Sequence, residues 1–374
     1  MHAAPGHIVA VERRARPRSS HRLRVALVAP LYESVPPKLY GGTERVVAYL
    51  ADALVDLGHD VTLFASGDSV TRARLVPGRE RALRLDDTPL KSDLASHMAM
   101  LHDVRSRQRD FDVVHFHTDI LHFPMFEATA ERTFTTLHGR LDMADLAGVF
   151  GRWDRYPLVS ISDDQRKPFP DANWAATVHH GLPLPLFPPP GRSRGEYLAF
   201  VGRIAPEKRP DRAIRIAKRA GLPLKIAAKA DPVDARYFRE VVAPMIDGPG
   251  VEYVGEVDER GKRELMQGAA ALLFPIDWPE PFGLVMIESM ACGTPVVAWR
   301  CGSVPEVIDD GVTGILVDDE DTAVDAVGRA AHLDRARVRA TFERRFTSRT
   351  MAQRYVALYE AAAEASAPRL ETVR

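Results

Sequence analysis

The chain has 374 residues, 45% of them hydrophobic and 27% charged, with a formal net charge of −1. That length exceeds one typical domain and suffices for two sizeable cores, while the near-zero charge argues against a nucleic-acid binder. Two cysteines, Cys292 and Cys301, give no disulfide framework, and no apolar run reaches membrane-spanning length, so a cytoplasmic protein is expected with no membrane association indicated.

Residues 1–20 carry Arg13, Arg14, Arg16 and Arg18 without an apolar core, and read as a disordered leader, not a secretory signal. Residues 23–29 (LRVALVA) form a continuous apolar run ended by Pro30, the pattern of a strand buried on both faces of a parallel sheet. A loop rich in proline and glycine follows over 32–42, then a helical pattern over 43–57, a stop at Gly58 and a strand over 59–64. This β-loop-α-β unit opens a doubly wound sheet, in which ligands sit at the carboxyl ends of strands. Gly41 and Gly42 lie at such an end, where they make either a flexible turn or a close approach to a ligand. Glu44 falls in the first turn of the helix, where an acid suits the dipole.

Residues 112–116 (DVVHF) make another buried strand, with His115, His117 and Asp119 at or past its end. The alternation of strand faces and the want of a fourth ligand speak against a metal there. The strand 134–137 delivers His138 and Gly139 to its carboxyl end. A single histidine is usually structural, yet one at a strand end facing a cleft is placed to hydrogen-bond a sugar. Residues 157–161 are a further strand, and Ser162 after it reads as structural.

The proline-rich stretch 182–191 (LPLPLFPPPG) is stiff, short of backbone donors and suited to a domain crossing, which puts the boundary near residue 190. A new buried strand over 197–201 leads into Gly202, Arg203 and, five residues on, Lys208. Arginine offers a planar fork to phosphate and lysine a mobile point charge, but from spacing alone a solvated basic face is the simpler reading. A helix over 211–219 and strands over 224–228, 251–254 and 270–274 repeat the alternation of the first half. The chain then reaches 278–306 (WPEPFGLVMIESMACGTPVVAWRCGSVPE). Glu280 between two prolines is pushed out of the α region and is a loop carboxylate. Phe282, Gly283 and Leu284 lead from it into the helical run 285–291, which begins at Val285 and is stopped by Gly293, and a strand over 295–299 follows. A helix start presents unpaired N–H groups and a positive dipole end to phosphate, and Glu288, more than a turn in, can accept from sugar or ribose hydroxyls. Residues 351–365 form an amphipathic C-terminal helix.

Taken together, Glu280 and Glu288 in the frame EPFGLVMIE, followed by ACGTPVV and GSVPEVI, resemble the donor-site signature of retaining glycosyltransferases of family 4. The likeness extends to the glycine turn at Gly41 and Gly42, the His-Gly at His138, the turn at His180–Gly181 and the GRI-x-x-x-K pattern from Gly202 to Lys208, and so runs from about residue 23 to about residue 365. It implies a GT-B fold, an α/β architecture of two doubly wound Rossmann-like domains facing across a cleft. Residues 21–190 would form the acceptor-side domain, 191–345 the nucleotide-sugar side, and 346–374 a helix packing back on the first domain. It implies that Glu288 binds the donor ribose, that backbone N–H groups of Phe282, Gly283, Leu284 and Val285 hold phosphate and sugar, and that Glu280 contacts the donor sugar. Arg203 and Lys208, with Gly41, Gly42 and Gly202 nearby, would neutralise the leaving diphosphate without a metal or other cofactor, and His138 would touch the sugar from the opposite domain. Retention in this family is usually explained by front-face attack, with the leaving phosphate taking the acceptor proton.

UDP-glucose is the first donor expected and GDP-mannose the next. A small-molecule or saccharide acceptor would lie against the loops 32–40 and 119–150 of the first domain. The rival readings are a nucleotide-sugar epimerase or phosphorylase of the same fold, and a non-catalytic nucleotide-sugar or glycan binder. The epimerases lack this glutamate frame, a pyridoxal phosphorylase needs a longer chain, and a binder would have lost one of Arg203, Lys208, Glu280 and Glu288, all of which are present.

Overall fold

The computed structural model describes residues 22–38, 41–188 and 195–366. The leader, Tyr40 of the first loop, the boundary point at residue 190 and the residues past 366 lie outside that description.

Among the described residues, two parallel sheets account for the architecture. The first holds β1 (Arg24–Val28), β2 (Asp60–Ser66), β3 (Arg74–Arg79), β4 (Val113–Phe116), β5 (Thr133–Thr136), β6 (Leu158–Ser160) and β7 (Trp174–Thr177), in the order β3-β2-β1-β4-β5-β6-β7. The second holds β8 (Tyr197–Arg203), β9 (Leu224–Lys229), β10 (Val251–Gly255), β11 (Ala269–Phe274), β12 (Val296–Trp299) and β13 (Gly314–Val317), in the order β10-β9-β8-β11-β12-β13. The central strands are mostly apolar because helices cover both faces. Val25, Ala26, Leu27 and Val28 of β1 are fully buried, and every residue of β11 is buried.

Each sheet reverses its strand order once, between β1 and β4 in the first and between β8 and β11 in the second. Such switch points open a crevice at the carboxyl ends of the flanking strands, because the two connections leave in opposite directions. The residues leaving these four strands are the loop after Pro30, the segment His117–Asp119, the Gly202–Lys208 turn and the loop that carries Glu280. The fold therefore brings them to facing crevices.

Among the described residues, the segment at Leu182 and the segment Phe346–Ser348, which lead from one domain towards the other, pair with each other. Leu182 N–H donates to Phe346 O at 2.9 Å and Ser348 N–H donates to Leu182 O at 2.9 Å. The helix Ser348–Ser366 then packs on the first helix, Gly42–Asp56. Its Tyr355 and Tyr359 are buried inside the first domain, where their hydroxyls meet Thr136 Oγ1 (2.9 Å) and His115 Nδ1 (2.7 Å). No described helix is long and apolar enough to cross a membrane.

A further tie between the domains comes from Glu306, at the start of a short helix after β12. Its carboxylate accepts from the backbone N–H groups of Asp163 and Asp164, both at 2.7 Å, and lies 3.4 Å from His179 Nε2. Burial pushes this carboxyl up, but the hydrogen bonds from His179, Asp163 and Asp164 outweigh it and hold the pKa below the ordinary 4.5. A depressed folded-state pKa contributes stability above the unfolded value that is lost as pH falls through the folded one. Glu306→Gln is therefore expected to cost about 1–3 kcal/mol at neutral pH, and its deficit against the parent chain should shrink below pH 4.5. Urea melts of both proteins at pH 7 and pH 4 check this, and an equal deficit at both pH values would contradict it.

Candidate functional site

A cavity of about 410 Å³ lies between the two switch points. Every residue named as a site candidate lines it: Gly41, Gly42 and His138 from the first domain, and Gly202, Arg203, Lys208, Glu280, Phe282, Gly283, Leu284, Val285 and Glu288 from the second. The domains approach closely here, since a Cβ on Gly42 would lie 4.0 Å from Leu284 Cδ1.

Glu280 is 9% exposed and sits in a loop, as its two flanking prolines require. Its Oε2 is paired with Lys208 Nζ and accepts from Trp278 Nε1 at 3.1 Å. The same ammonium lies 4.7 Å from the centre of the Trp278 ring. A carboxylate so bracketed keeps one orientation, while the three N–H bonds of Lys208 leave it able to hold a second anion. Ser303 supports the loop from behind: its N–H donates to Glu280 O at 3.0 Å and its hydroxyl to Phe282 O at 2.9 Å.

Gly283 then adopts φ +78°, which turns the chain from loop into the helix Leu284–Ala291. No side chain caps that helix start; Met286 N–H donates to Gly283 O at 3.0 Å, and the helix's positive end faces the cavity wall, where it suits an anion. The Phe282 ring is buried against His180 and Phe346.

One turn further along, Glu288 is paired with Lys262, which also holds Glu259 at 2.9 Å. Glu259 pairs in turn with Arg45 on the first helix of the opposite domain. Glu288 thus belongs to a chain of alternating charges that crosses the cleft. Arg203 lines the cavity while its guanidinium engages Glu207 at 2.7 Å, with Asp234 and Asp231 at 3.6 and 3.7 Å.

On the first domain, Gln165 holds the His-Gly turn. Its amide donates to Leu137 O (2.9 Å) and Gly139 O (2.7 Å) while its carbonyl accepts from Ile161 N (2.9 Å). Ser162 accepts from Gln165 N at 3.1 Å and so acts on that turn at one remove. His138 packs against His180, with ring centroids 5.3 Å apart and planes at 20°, and its Nε2 lies 2.8 Å from His117 Nδ1. Burial drives the His138 imidazole down to about 3, and it is neutral at physiological pH.

Strand alternation does not separate His115 from His117. Positions i and i+2 share a face, and the two rings lie 4.2 Å apart. What occupies them is hydrogen bonding, since His115 meets Tyr359 and Thr136 while His117 meets His138. Among the described residues, no group of three or more histidine, cysteine, aspartate or glutamate side chains is arranged to hold a metal ion. In the first loop, Tyr32 donates to Asp93 at 3.2 Å and Glu33 pairs with Arg84 at 3.3 Å.

Sequence reasoning missed Arg45, His117, Gln165, Lys262 and Trp278 as parts of this site, and read His180 only as a boundary turn. Of these, Trp278, two residues from Glu280, and His117, just past the end of a strand, carried a local signal. The others come from elements distant in the chain.

The family model for glycosyl transferases group 1 matches residues 188–341, and that for glycosyltransferase family 4 matches residues 40–162. The D-inositol 3-phosphate glycosyltransferase of Mycobacterium sp. (strain KMS) is 34% identical over 207 residues, 51% of this chain and 44% of the relative. The one from Mycolicibacterium smegmatis is 32% identical over 196 residues, 48% of this chain and 43% of the relative. The chain thus matches less than half the length of these curated relatives. Among solved structures, AviGT4, a glycosyltransferase involved in avilamycin A biosynthesis, superposes with a TM-score of 0.72 at 26% identity, covering 92% of this chain and 99% of that one. Anabaena HepE, solved with UDP and glucose, superposes with a TM-score of 0.69 at 17% identity, covering 91% and 100%, a likeness of fold alone.

Proposed function

The chain belongs to the group 1, family 4 glycosyltransferases and has the GT-B fold, and from that premise we propose that it transfers a sugar from a nucleotide-sugar donor to a hydroxyl acceptor, with retention at the anomeric carbon. The observation that carries this reading is an interdomain cavity lined by Lys208, Arg203, Glu280, Glu288 and the helix start on one side and by His138 on the other.

Breaking a glycosyl–phosphate bond develops negative charge on the leaving oxygen. Fixed cations and oriented N–H donors act on that charge as it forms, and they do so more strongly where water is excluded. Lys208 and the N-terminus of the helix Leu284–Ala291 are placed for this, with Arg203 at the same wall. In this proposal they make the reaction independent of a divalent metal, so transfer should survive chelation by EDTA. The leaving phosphate takes the acceptor proton on the front face. Glu280, held by Lys208 and Trp278, accepts from hydroxyls of the donor sugar, and Glu288 accepts from the ribose.

UDP-glucose is the first donor to test and GDP-mannose the next. The names of the curated relatives make D-inositol 3-phosphate the first acceptor to try. Thermal-shift screening against UDP, GDP, ADP and their sugars tests the donor site without an acceptor. A nucleotide at a hundred times its Kd should stabilise the fold by about 2.7 kcal/mol. Stabilisation by none of them at millimolar concentration would overturn the reading, and stabilisation without donor hydrolysis or transfer would favour a binding protein.

Glu288→Gln is expected to raise the donor KM about 10–100-fold with turnover nearly unchanged, the size of a lost hydrogen bond to a charged group. Initial rates against donor concentration check this. A variant with the parent KM would remove Glu288 from the ribose.

A further inference from the structure

Lys262 serves two carboxylates at once. Its ammonium pairs with Glu288 and lies 2.9 Å from Glu259, three residues before it on the helix Glu259–Gly268. The Lys262 side chain is 12% exposed and that of Glu288 6%, so little water screens the pair. An ammonium has three N–H bonds and can meet both acids, but it balances the charge of only one. Glu259 sits in the first turn of its helix, where the dipole favours a negative charge.

The second positive charge comes from the other domain. Arg45, on the helix Gly42–Asp56, pairs with Glu259 and is 11% exposed in its side chain. Tyr49, one turn further along the same helix, also hydrogen-bonds it. Burial opposes the charge on Arg45, but Glu259, Tyr49 and Glu288 outweigh it and hold the pKa above the ordinary value. Arg45 therefore feels Glu288 as well as the acid it touches.

Arg45, Glu259, Lys262 and Glu288 alternate in sign, two cations against two anions, and all four line the cavity. Without Arg45, two carboxylates compete for one ammonium. A surplus negative charge then stands beside Glu288, on the wall that an anionic ligand has to approach. This role differs from simple packing between domains. An arginine that only packs is missed whatever stands opposite it, whereas one that balances Glu259 becomes dispensable once Glu259 is neutral.

We propose that Arg45 is a positioning residue for the nucleotide-sugar: by taking up the charge of Glu259 it leaves Lys262 to hold Glu288, so that a cation from the first domain completes the nucleotide pocket of the second. The inference rests on the transfer reading above, in which Glu288 meets the ribose of the donor.

Calorimetric titration of the full chain with UDP, GDP and ADP, beside initial rates against donor concentration, tests it. Arg45→Ala should weaken nucleotide binding and raise the donor KM, each about tenfold, with kcat at saturating donor little changed. Arg45→Lys keeps the charge and should stay within about threefold of the parent affinity. Adding Glu259→Gln to Arg45→Ala removes the surplus anion and should recover most of the lost affinity. Arg45→Gln, which keeps much of the side chain's length without its charge, carries the same expectations if the alanine variant does not fold. Parent-like affinity in the neutral variant overturns the proposal. So does a double variant no tighter than the single one, which would make Arg45 a packing contact between the domains. Either result, with the parent chain binding a nucleotide, strikes this proposal alone. A parent chain that binds none of the three nucleotides brings down the donor-site reading and this proposal together.

Discussion

Lys208→Ala is expected to lower turnover about 10²–10³-fold, the effect of removing one preorganised charge from a developing anion. The lysine does two things in this site. It lies over Trp278 and pairs with Glu280, and it lines the cavity where the donor's diphosphate would lie. Its removal therefore also leaves Glu280 nearly buried with Trp278 Nε1 as its remaining neighbour in that pair. Losing one partner of a buried pair costs about 3–5 kcal/mol of stability. The two effects separate in a double variant. Lys208→Ala with Glu280→Gln removes the stranded charge, so stability should recover while turnover stays low. Steady-state rates at saturating donor, with urea melts of the two single variants and the double, make the measurement. Parent-like kcat in Lys208→Ala would remove the lysine from the reaction and leave it a structural partner of Glu280.

Gly302→Ala should abolish most activity without altering any side chain proposed to meet substrate. Gly302 has φ +59°, and a Cβ there would lie 2.4 Å from Glu280 N and 2.6 Å from Glu280 O. Both are backbone atoms of the loop that Ser303 holds, so neither can swing aside as a side-chain end could. The loop has to shift by an ångström or so, and misplacement on that scale costs about 10²-fold in rate. Gly311→Ala is the control. It shares the positive φ, at +73°, but its Cβ would meet nothing within 4 Å. That change should cost about 1–2 kcal/mol of stability from backbone strain alone, with kcat unaltered. Equal kinetic losses in the two variants would mean that general destabilisation, not the Glu280 loop, is responsible.

The parts of this protein that were legible in its residues are those with a local physical cause. Continuous apolar runs marked β1, β4, β8 and β11 because those strands are covered on both faces. The strands over 74–79, 174–177 and 314–317 went unread. They lie at sheet edges, and the first two are only partly buried, so their pattern is weak. Glu280 could be placed in a loop because proline restricts its neighbour, and the helix after Gly283 could be placed because apolar residues follow a residue free to turn.

What the amino-acid sequence determined by itself, then, is two parallel α/β domains and a set of charged and glycine positions at strand ends. Only the tertiary structure decided how those positions are partnered. Lys262 reaches Glu288 from 26 residues away, Arg45 reaches Glu259 from 214, and Tyr359 reaches His115 from 244. Hydrogen bonds and ion pairs depend on distances of a few ångströms, and no periodicity in the chain records which remote side chains will close those distances. Strand order does: it sets where each sheet reverses, and with the helix that returns to the first domain it brings the histidines, the lysines and the glutamates to one cleft.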